Sequence, residues 1–220
     1  ALGTTGLADF AADLEEEITA LDEPPVLVGH SMGGLLAQML AARRPARALI
    51  LLAPSAPWGV PPSTLFEIGA AQALHLNPGY WNQVLEPSRD VALAHSIDKL
   101  PRELRDEVFR RFTGESGRAT FEILNWGLDM NRASEVDHDK IQCPLLFLTG
   151  SDDRINPPTT VMRIAALYKD RATNEVLPGM GHWLIGEPGW DTITPKALSW
   201  LDKKLSRSAV SSAAARHSAC

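Results

Sequence analysis

Apolar residues first recur at Leu7, Phe10, Leu14, Ile18 and Leu21, in steps of three and four. That spacing predicts an amphipathic helix with Asp9, Asp13 and Glu15 to Glu17 largely toward water. The Pro24–Pro25 pair ends it. Val26 to Val28 is a short apolar run, the pattern of a central strand in a parallel sheet. Helical spacing returns from Gly33 to Arg43 and stops before Pro45, and Ala48 to Leu52 is a second apolar strand. Farther on, Cys143 to Gly150 and Asn174 to Gly179 read as strands, with helices at Pro158 to Tyr168 and Thr192 to Lys204.

Residues 58–139 have another character. Prolines at 57, 61 and 62 open the segment, and no strong strand pattern follows. Helices are predicted at Ser63–Leu74, Ser88–Ile97, Pro101–Phe112 and Arg118–Met130, with large apolar groups throughout. The alternation on either side implies an α/β fold, a mostly parallel sheet with helices on both faces. Residues 1–57 and 140–206 would form its core and 58–139 an inserted helical cap. The small, polar residues 207–220 read as a disordered tail.

At 220 residues the chain can bury one large core. Its net charge of -6 argues against a nucleic-acid partner. Cys143 and Cys220 form neither a disulfide framework nor a zinc pattern, and no metal or cofactor is expected. No apolar run is long enough for a membrane span, and no signal-peptide pattern is visible, so a cytoplasmic location is expected.

Three places carry chemistry. Gly29-His30-Ser31-Met32-Gly33 joins a strand to a helix. A sharp turn there would strain Ser31 and expose its Oγ beside a helix N-terminus. Side chains two residues either way would collide, which accounts for both glycines. The same residues also suit a plain Gly-rich turn. Asp152 and Asp153 follow a strand end at Gly150, where a carboxylate could orient a histidine or merely cap a loop ahead of Pro157. His182 lies in a Gly-flanked loop after the last strand. The other five histidines read as structural or surface residues, His30 pointing away from the cleft.

Together "GHSMGG", the spacing Gly150, Asp153, Pro157 and "GMGHW" resemble the α/β-hydrolase family. The resemblance implies a Ser31 nucleophile, a His182 base, an Asp153 acid and an oxyanion donor at the Met32 backbone N–H. It implies ester hydrolysis through an acyl-enzyme. The apolar cap implies a small ester with an apolar portion, met by Trp58, Phe66, Trp126 and Trp183. Carbon–carbon bond hydrolysis, thioesterase, lactonase and perhydrolase chemistry would use the same residues. An inactive fragment or binding module is the rival from another class. The residues before Gly29 hold one helix and no histidine, so the family's early strands and second oxyanion donor have no counterpart there. An open sheet edge is therefore expected, covered by an oligomer or a second chain.

Overall fold

The computed structural model describes residues 2–217, with the backbone alone over 207–217. Helix α1 spans Leu7–Thr19, strand β1 Val26–His30, α2 Met32–Ala41 and β2 Ala48–Leu52. The inserted segment holds α3 (Leu65–Leu74), β3 (Val84–Leu85), α4 (Arg89–Val91), a π-helical turn (Ala92–Ser96), α5 (Arg102–Phe109), β4 (Glu115–Ser116) and α6 (Gly117–Leu124). Then come β5 (Leu145–Gly150), α7 (Pro158–Ala166), β6 (Ala172–Leu177) and α8 (Ile193–His217).

Among the described residues β1, β2, β5 and β6 form one parallel sheet in that order. Successive side chains of a strand point to opposite faces. Leu49, Leu51, Leu145 and Phe147 therefore meet Ala37, Ala41, Val161 and Ile164 of α2 and α7. Ala48, Ile50, Leu52, Leu146 and Leu148 meet Ile193, Ala197 and Trp200 of α8. β2 and β5 are buried throughout because both faces are covered.

β1 departs from the expected central place. It stands at an edge of this sheet, and Val28 is 63% exposed. An apolar run marks a strand but not its position in the order. α1 differs as well: Leu7 and Ala11 are buried, whereas Leu14 is 41% exposed. Its first turns pack on Leu35, Leu36 and Met39 of α2 and Ala119 of α6.

The first three helices of the inserted segment fall close to their expected spans, whereas the last, expected to reach Met130, ends at Leu124. Thr64 caps α3, its hydroxyl accepting the Glu67 N–H while Glu67 Oε2 accepts the Thr64 N–H. The β3–β4 antiparallel pair was not expected, because two-residue strands are too short to show alternation. The tail expected at 207–220 falls partly on α8, whose backbone continues to His217, and partly on 218–220, outside the described residues.

Candidate active site

The loops leaving the carboxyl ends of β1, β5 and β6 share one rim of the sheet, where parallel strands form their sites. β1 ends at His30 and the chain turns at Ser31 straight into α2. Ser31 has φ 53° and ψ −120°, a strained conformation for a residue with a side chain. Its N–H donates to Leu52 O at 3.0 Å, and its carbonyl accepts from Gly34 at 2.9 Å and Ser55 at 3.0 Å. A Cβ on Gly29 would lie 2.2 Å from Gly33 O, and one on Gly34 would lie 2.7 Å from Pro54 Cβ. A Cβ on Gly33 would meet nothing within 4 Å. The collision expected at Gly33 therefore belongs to Gly34, its neighbour in the first turn of α2.

Three residues far apart in sequence converge here. His182 Nε2 is 3.2 Å from Ser31 Oγ, and His182 Nδ1 is 2.9 Å from Asp153 Oδ2. Asp153 is 3% exposed, and its Oδ1 accepts the Ile155 and Asn156 N–H groups at 2.8 and 2.9 Å. Asp152 is exposed and pairs with Lys99, whose ammonium holds its carboxyl below the usual range. Of the two acids only Asp153 bonds His182. Such a chain of groups can move a proton from a hydroxyl to an imidazole while a carboxylate steadies the ring. Met32 opens α2, so its backbone N–H lies among those that a helix leaves without an internal acceptor.

Two neighbours escaped sequence reasoning. His30 does not point away: its Nε2–H donates to His182 O at 2.8 Å. Burial, and then the charge of a protonated His182, pull its pKa down to about 4. Glu187 is fully buried, and its Oε1 accepts the Gly181 N–H at 2.6 Å, closing the loop that carries His182. Burial pushes its carboxyl up. Only its place five residues after His182 could have drawn notice.

A cavity of about 570 Å³ lies between the inserted helices and the core, within the size range of small-molecule sites. Phe66 and Trp126 line it, as do Ile155 and Asn156 beside Asp153. Trp58 is not in its wall: it packs edge-on with Trp126 at 5.4 Å between centroids, with the Arg132 guanidinium over its ring. Trp183 is also outside the wall and lies in its own loop, against Gly186. A large aromatic residue in the sequence does not reveal which way its ring turns.

The model of the alpha/beta hydrolase family matches residues 2–190. A protein of Variovorax paradoxus strain S110, named as a candidate carbamate hydrolase, RutD, is 29% identical over 199 residues, covering 80% of this chain. The chain spans 66% of that relative's length. Among solved structures, a monoacylglycerol lipase of Paleococcus ferrophilus superposes with a TM-score of 0.59 at 25% identity, covering 90% of this chain and 76% of its own. An esterase from Thermogutta terrifontis gives 0.64 at 21% identity, covering 92% and 74%.

Proposed function

The chain belongs to the alpha/beta hydrolase family, and on that premise we propose that it is a serine hydrolase cleaving carboxylic esters. The observation that carries this reading is the continuous contact from Ser31 Oγ through His182 to buried Asp153. His182 takes the Ser31 proton as Oγ attacks the ester carbonyl, and Asp153 holds the ring and stabilises the imidazolium. The Met32 N–H donates to the oxyanion as it forms. The alkoxide or phenoxide leaves with the proton from His182. Water, deprotonated by the same imidazole, then releases the acid. The cavity seats the apolar portion.

Labelling with a fluorophosphonate tests the nucleophile. One adduct is expected on Ser31 by intact mass, and none on Ser31→Ala. An unlabelled wild type would leave a binding module as the better reading. The relatives named for carbamate hydrolysis favour a second substrate, since a carbamate offers the same carbonyl to the same groups. Turnover of an aryl ester beside the matching aryl carbamate separates the two.

A further inference from the structure

The cavity is apolar, but six polar side chains reach its wall: Glu67, Gln72, His95, Asn125, Asn156 and Thr160. Most are occupied by the protein. Glu67 accepts from Ser63, Thr64 and Thr160. Asn125 bonds His75 and Tyr80, and Asn156 Nδ2 donates to Ala53 O. Gln72 is exposed to water at the rim. His95 differs. It is half-buried, its ring lies tilted against Phe66 at 4.4 Å between centroids, and its Nδ1 is sealed from solvent with no partner among the described residues.

The sealed nitrogen decides which end of the ring is useful. A proton on Nδ1 would be a buried donor without an acceptor, a rare and costly state. The tautomer protonated at Nε2 leaves an unfilled Nδ1 lone pair instead, the better tolerated of the two. His95 lines the cavity and its Nδ1 is sealed, so Nε2 is the ring nitrogen left to bond a ligand. His95 sits in the π-helical turn, where the Ile97 N–H reaches back to Ala92 O at 2.9 Å. Such turns are frequent at functional sites.

We propose that His95 makes this cavity selective for esters whose apolar portion carries an uncharged oxygen acceptor, which takes a hydrogen bond from Nε2. The oxygen is uncharged because, among the described residues, no Lys or Arg lines the cavity while the Glu67 carboxyl does. The inference rests on the serine-hydrolase reading and specifies its substrate.

The test is a series of uncharged aryl esters in which an ether oxygen replaces one methylene, moved along the acyl chain position by position. The kcat/KM of each is divided by that of the all-carbon parent, measured on the same preparation of wild type, His95→Leu and His95→Gln. That ratio does not depend on the folded fraction. At one oxygen position His95→Leu is expected to lower the ratio roughly tenfold. His95→Gln, whose amide can donate, is expected to retain part of it. Ratios that agree within about twofold at every position would overturn the proposal. Fluorophosphonate labelling of the wild type distinguishes the failures. A labelled Ser31 with flat ratios removes only the role of His95, whereas an unlabelled protein removes the hydrolase reading and this inference with it.

Discussion

His30 and His182 are joined ring edge to backbone: the Nε2–H of one donates to the carbonyl of the other at 2.8 Å, with ring centroids 4.9 Å apart. The residue before the strained serine thus holds the backbone of the histidine that faces it. The donor role requires an unprotonated imidazole at Nδ1 or a cation, and burial excludes the cation until about pH 4.

The burial of His30 makes folding sensitive to acid, and the bond to His182 O only partly offsets it. The unfolded His30 takes its proton near pH 6.5 and the folded one only near pH 4. The contribution is full above pH 6.5 and is lost as the pH falls toward 4, on the order of 3 kcal/mol in all. Urea unfolding at pH 7, 5.5 and 4.5 should show stability falling more steeply in the wild type than in His30→Phe. Parallel curves would contradict the assignment.

The glycines around Ser31 should separate in an alanine series. Gly29→Ala and Gly34→Ala drive a Cβ to 2.2 and 2.7 Å from Gly33 O and Pro54, so both should lose activity and stability. Gly33→Ala should fold as well as the wild type or slightly better, because alanine favours a helix by roughly 1 kcal/mol over glycine. Melting temperatures and ester turnover check the order.

Asp153→Asn should cost on the order of 10⁴ in kcat, since an amide permits the wrong imidazole tautomer and offers no charge. Asp152→Asn, which releases an exposed ion pair with Lys99, should change kcat by less than about tenfold. Equal losses would mean that both acids act on His182.

Glu187→Ala leaves the buried Gly181 N–H without its acceptor, an arrangement that costs about 1–3 kcal/mol. It should lower kcat while His182 still folds near its place. Glu187→Gln keeps an oxygen there and should restore most of the turnover. A glutamine variant as poor as alanine would point to the charge rather than the hydrogen bond.

Local pattern made much of this legible. The strand–serine–helix turn, the three-residue step from Gly150 to Asp153 and the glycine-flanked His182 all lie within short windows of the chain. What stayed hidden depends on segments meeting across the fold. Val26 to Val28 look alike at an edge or at a centre. The facing of Trp58 depends on Trp126 and Arg132, and the bond of His30 depends on a loop 152 residues away. The role of Gly34 became visible only once β2 had brought Pro54 against it.

α1 has a consequence for how substrate preference can drift. Its first N–H, at Leu7, donates to Glu122 Oε2 of α6 at 2.7 Å, while Leu7 and Ala11 pack against α2, the helix that follows Ser31. One short helix is therefore the common footing of a wall of the cavity and of the turn at Ser31. A substitution in its first turn, remote from the cavity, would move that wall relative to the Ser31 hydroxyl, so on the proposed reading substrate preference would shift through residues that no substrate touches.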